Sequence, residues 1–199
     1  MSNGLKRKRN FAPKGYEDRF KMQKVMYNKS LSENCFMKLF YSMQLINFAV
    51  LYAPTEEGGF DFTKQKVKNF NKILRRHNQE YDDGGLISTL VEKNHNDKFG
   101  FDCRLEAQNF PYRPKMKMYG KQPRNMADHN LALVSINGAI ETYLILAIHT
   151  LHENYRFNKD MVWQWWNKFK EVAELYVNGM SDDFVIQYFK DECDLDITK

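Results

Sequence analysis

His149 and His152 stand three residues apart in this 199-residue chain, with Glu153 next. Two imidazoles one helical turn apart can share a metal ion, but a zinc site needs further ligands and no His-Glu-x-x-His run supplies them. Histidines near a helix end are more simply held there by the helix dipole. A second group is His77, Asp82, Asp83 and His95 around Gly84-Gly85, followed by Cys103. Without a paired Cys-x-x-Cys, these read as turn residues and surface histidines. Glu141 lies inside an apolar run, where a carboxylate is either paired with a cation or has a raised pKa. A structural, hydrogen-bonded glutamate is the expectation. Walker, GxGxxG and GxSxG patterns do not occur. No catalytic residue, metal ligand or cofactor is therefore assigned, and the chain is expected not to be an enzyme.

The remaining chemistry is binding. Lys6, Arg7, Lys8 and Arg9 form a basic arm in residues 1–16. Such a run suits phosphate or another acidic partner, and also a solvated tail. Residues 99–125 interleave Phe110, Tyr112 and Tyr119 with Arg113, Lys115, Lys117, Lys121 and Arg124. This aromatic, basic connector is a second candidate for nucleic acid or a partner. Trp163, Trp165 and Trp166 cannot share one face, because neighbouring helical positions lie about 100° apart. With Trp165, Trp166 and Phe169 buried, Trp163 is expected to be exposed, a candidate hot spot for a protein partner. A further basic face runs through residues 63–76, with Lys64, Lys66, Lys68, Lys72, Arg75 and Arg76.

These groups must be held by helices. Residues 128–151 are apolar on most sides and free of proline, which reads as a buried helix or a membrane span. Asn137, Glu141 and His149 are costly in hydrocarbon, so a central core helix capped by Asp128 is expected. A weak helical pattern covers 17–27. Ser30 and Glu33 fit a capping box that starts a helix carrying Phe36, Leu39, Met43, Ile46 and Val50, ending before Pro54. Thr63 caps the next helix, and Leu86, Ile87, Leu90 and Val91 form a shorter one. Three prolines in 111–123 exclude a regular helix there, and 115–119 alternate as a short edge strand would. Asn158 and Ser181 cap the last two helices, separated by a stop at Asn178-Gly179.

The two halves carry matching residues. Phe62/Phe157, Lys64/Lys159, Val67/Val162, Tyr81/Tyr176 and Gly84/Gly179 all differ by 95 positions. The spacing fits a duplicated three-helix unit, and also a chance alignment of amphipathic helices. Charge is uneven. Residues 1–40 hold ten Lys/Arg against three Asp/Glu, whereas 128–199 hold six against twelve. That pattern suggests two faces or two partners. Cys35, Cys103 and Cys193 are odd in number and widely spaced, as free thiols in a reducing compartment would be. No apolar run follows the basic opening, so no signal peptide is expected.

Three stretches carry a resemblance. Residues 9–19 read Arg-Asn-Phe-Ala-Pro-Lys-Gly-Tyr-Glu-Asp-Arg. Residues 146–157 read Leu-Ala-Ile-His-Thr-Leu-His-Glu-Asn-Tyr-Arg-Phe. Residues 189–197 read Phe-Lys-Asp-Glu-Cys-Asp-Leu-Asp-Ile. Together they resemble small proteins carried by phages and prophages of Gram-positive bacteria. Tyr155-Arg156-Phe157 stands where that pattern has Phe-Gly-Phe. The resemblance implies a phage accessory protein, similar in role to anti-CRISPR inhibitors.

The expected architecture is all-α, a bundle of about six or seven helices with an irregular basic connector. It divides as a basic arm (1–16), an N-terminal helical half (17–102), the connector (103–127) and a C-terminal helical half (128–199). The expected function is binding of a host or phage protein complex containing RNA or DNA in the bacterial cytoplasm, with no membrane partner. A CRISPR-type nuclease–RNA complex is the leading target. The alternative is a nucleic-acid-binding regulator or replication accessory protein that uses the face at 64–76.

Overall fold

The apolar run at 128–151 does become the centre of the molecule. In the computed structural model, residues 16–84, 88–113 and 122–191 are described. They form seven α-helices and no strand among the described residues. These are α1 (Tyr16–Tyr52), α2 (Lys64–Asp82), α3 (Ser88–Phe99), α4 (Cys103–Gln108), α5 (Met126–Tyr155), α6 (Lys159–Val177) and α7 (Asp182–Asp191). In α5 the six consecutive residues 143–148 are all buried, so this stretch of the helix is covered on every side. Tyr27–Tyr52 and Met126–Tyr155 are each long and apolar enough to cross a membrane by length and composition. Here they pack on each other, with Ser32 Oγ 2.8 Å from Ser135 Oγ and Phe40 edge-on to Tyr143.

Two helix starts differ from expectation. Ser30 does not begin a helix, because α1 runs unbroken from Tyr16 to Tyr52. The core stripe of Leu31, Cys35, Leu39, Met43, Ile46 and Val50 keeps helical spacing from its first turn, while Glu33 pairs with Lys29. Helix α5 begins earlier than Asp128. Asn125 is its cap, accepting from Asp128 N at 2.9 Å, and the buried Asp128 carboxylate accepts from Arg124 N at 3.1 Å. The expected caps at Thr63, Asn158 and Ser181 do accept from Lys66 N, Met161 N and Phe184 N.

The connector is less irregular than its prolines suggest. Asp102 caps α4 by accepting from Leu105 N, and the helix ends before Pro111. Phe110 then packs on Trp166 and Phe169. The expected strand at 115–119 lies outside the described residues.

The 95-residue offset holds in the backbone as well as in side chains. Helices α2 and α6 are each 19 residues long and start at Lys64 and Lys159. Val67, Phe70 and Leu74 are buried, and so are Val162, Trp165 and Phe169 at the same offset. Asp61 and Arg156 are the two non-glycine residues with positive φ among the described residues, at 49° and 62°. Gly84 and Gly179 match as left-handed glycines. Phe62 N donates to Leu51 O and Phe157 N to Leu151 O, so each phenylalanine closes a long helix, and the two rings meet edge to face. The halves interlock. Helices α2 and α3 pack on α5, while α6 and α7 pack on α1.

Candidate functional site

The outer face of α2 is set by its inner one. Val67, Phe70, Leu74 and His77 anchor the helix to the core. Opposite them Lys64, Lys68, Lys72, Arg75 and Arg76 are exposed within an arc of about 120°. They extend along about 18 Å of helix, with successive lysines about 6 Å apart. Arg76 makes a loose pair with Glu80 at 3.7 Å. Lys66 lies off this arc, over the Phe62 ring. No acidic residue interrupts the helix until Glu80.

The cations of the connector are used differently. The Arg113 guanidinium is half-buried and donates to the carbonyls of Ala107 at 2.8 Å and Gln108 at 3.0 Å, closing the C-terminal end of α4. Arg124 lies 3.7 Å from the centre of the Tyr27 ring and 3.5 Å from the Asp128 carboxylate. Arg113 is thus spent on the fold, while Arg124 lies across the surface and stays exposed. Lys6, Arg7, Lys8, Arg9, Lys115, Lys117 and Lys121 lie outside the described residues.

Trp163 is not the exposed side chain expected. It is half-buried, packed 5.0 Å from Phe101, and its Nε1 donates to Phe99 O at 3.0 Å. That bond ties α6 to the end of α3. Trp165 Nε1 donates to the buried Asn47 Oδ1 at 2.7 Å, and Trp166 Nε1 donates to Glu106 Oε2. The three indoles are thus part of the packing between the halves.

Behind α2 lies a cluster that the sequence presents as two unrelated pairs. His149 sits between His77 and His95, with ring centres at 4.9 and 6.3 Å. Thr150 Oγ1 donates its hydrogen to Leu146 O, so His77 Nδ1 must be the donor in its 3.0 Å bond to Thr150. His152 Nδ1 donates to Phe157 O at 2.8 Å, and its Nε2 accepts from Lys98 Nζ at 2.8 Å. Nδ1 of His95 is buried without a partner. Burial lowers the pKa of His77, His95 and His149. Among the described residues no three His, Cys, Asp or Glu side chains are placed to hold a metal ion.

Glu141 is half-buried, and no hydrogen bond to its carboxylate is made among the described residues. Burial pushes its carboxyl up, Glu92 and Asp102 add to that, and Arg104 opposes it. Cys35 and Cys103 are buried free thiols, with Cys35 raised by burial to about 11.

A groove of about 900 Å³ opens between the end of α1, α6 and α7, and it reaches Thr63 and Lys64 at the start of α2. Ala49, Tyr52, Val172, Leu175, Phe184 and Tyr188 line it, and Phe184 is 60% exposed. No protein-family model, curated protein or solved structure matches this chain.

Proposed function

We propose that this chain is a non-enzymatic accessory protein, of the phage kind it resembles, that binds a nucleic-acid-containing partner through α2. The observation that carries this reading is the row of Lys64, Lys68, Lys72, Arg75 and Arg76 on one outer face of a helix anchored by Val67, Phe70 and Leu74. Phosphate binding rests on such rows, because each neutralised phosphate releases a condensed counterion. The contact is to backbone phosphate, which positions a protein without reading sequence. The α2 row is favoured over the connector because all five of its cations lie on one exposed arc, whereas Arg113 is half-buried and donates to the carbonyls that end α4. A defence nuclease with its guide RNA, in the bacterial cytoplasm, is the partner class that the resemblance implies.

The test is a tagged pull-down from infected or lysogenic host cells, with and without nuclease treatment. Wild type is compared with the triple variant Lys68→Glu, Lys72→Glu, Arg75→Glu. The reading expects nucleic acid, alone or with protein, on the wild type and its loss from the variant. Equal capture by both would overturn it.

A second reading has its own support in the groove. Exposed Leu175, Phe184 and Tyr188 are apolar side chains of the size that anchors protein partners. If the groove is the partner site, capture survives nuclease and fails with Phe184→Glu.

A further inference from the structure

The internal repeat supplies a comparison for the histidine cluster inside the same chain. At the 95-residue offset, His77 of α2 corresponds to Val172 of α6. The matched bonds to Leu51 O and Leu151 O align α1 with α5, so that His149 and His152 correspond to Ala49 and Tyr52. Ala49, Tyr52 and Val172 all line the groove between α1, α6 and α7. One locus is thus aliphatic and phenolic, and its counterpart is built of imidazoles.

We propose that the contact of α2 and α3 with α5 is a pH-sensitive latch, closed while His77, His95 and His149 are neutral and loosened when they take up protons. The geometry carries this. His149 faces an imidazole on each side, so its protonation together with that of either neighbour sets like charges against each other. His95 is 2% exposed and its Nδ1 has no partner to share a charge. The charged groups that face the cluster divide. Arg76 on α2, Lys98 on α3 and His152 on α5 oppose protonation, while Glu80 on α2 and Glu153 on α5 favour it. Burial outweighs both sets for all three histidines.

The direction of the effect follows. Burial lowers His95 from 6.5 to about 3 in the fold. A group with its folded pKa depressed in this way leaves the fold at full stability above 6.5 and takes stability away as the pH falls below it. At pH 5, His95 alone reduces the folding equilibrium constant about 30-fold. His77 and His149 act in the same sense. Asp182, at the start of α7, is raised by burial and works in the opposite sense, so acid does not loosen the other half in the same way.

This inference is independent of what α2 binds, and its test needs no ligand. Hydrogen exchange, corrected for intrinsic rate, is compared near pH 7.5 and near pH 5 for α2 and α3 against α6 and α7. Unfolding is followed over the same range for wild type, His95→Leu and His149→Ala, the last placing the residue found at Ala49. The latch predicts that α2 and α3 lose protection first. It also predicts that His95→Leu removes about 30-fold of the acid-induced fall in the folding constant. Should His95→Leu fail to fold, His149→Ala reads the same effect. Even loss of protection across all four helices, or wild-type acid sensitivity in the variants that fold, would overturn it.

Discussion

Replacing Trp163 separates a packing role from a partner-contact role. The indole is half-buried against Phe101 and donates to Phe99 O. A tryptophan buries about 150–250 Å² when fully covered, so roughly 100 Å² is at stake here. At about 25 cal/mol per Å² that is about 2.5 kcal/mol. Loss of the hydrogen bond adds about 1 kcal/mol. Trp163→Ala is therefore expected to destabilise by about 3.5 kcal/mol, and Trp163→Phe, which keeps most of the contact area, by about 1 kcal/mol. Urea unfolding followed by far-UV circular dichroism measures both, with an unchanged slope showing that only stability moved. If Trp163→Ala unfolds at the wild-type midpoint, the packing account of this residue is wrong. The same variant losing its partner while remaining fully stable would restore the contact-site reading.

Other residues give sharper local tests. Arg156 holds a left-handed φ of 62° at the turn between α5 and α6. Arg156→Gly is expected to raise stability by about 0.5–1 kcal/mol in the same urea assay. Asn158→Ala removes the cap of α6 and should cost about 1 kcal/mol. Gly59→Ala should cost more than Asn158→Ala in thermal melts, since a Cβ there would collide with Ala53 O and the backbone must shift.

The parts legible in the sequence are those with one strong local signal. Thr63, Asn158 and Ser181 each stand immediately before a helical apolar pattern, and each accepts the expected backbone N–H. Pro54 and Gly179 mark their stops for the same reason, proline by its geometry and glycine by its freedom at positive φ. The Ser30 signal misleads because a capping box is compatible with a helix start without requiring one. The stripe from Leu31 onward packs on α5 and carries α1 through it. Asp128 and Asn125 are both good caps, and only the geometry assigns the capping role to Asn125 and the return contact to Asp128.

The candidate sites were legible unequally. The basic face of α2 follows from helical periodicity once Thr63 is placed. The engagement of Arg113 and Arg124 does not, because their partners are backbone carbonyls and a ring from another helix. Trp163 is not legible in the same way, because rotation about one helix axis says nothing of α3, whose end accepts its Nε1 hydrogen at Phe99 O. His77 and His95 lie far in sequence from His149, and only the packing of α2 and α3 on α5 unites them.

The most direct measurement is the affinity of the purified protein for a short fluorescent duplex and for a single-stranded RNA as salt is varied. Five cations on α2 set an upper limit of about −4.5 for the slope of log affinity against log salt on duplex DNA. Lys68→Glu, Lys72→Glu, Arg75→Glu should make that slope shallower by about 2.7 or more, with the fold intact by circular dichroism. No measurable binding at low salt, or binding whose slope is unchanged in the variant, would contradict the central claim that α2 is the phosphate-binding face.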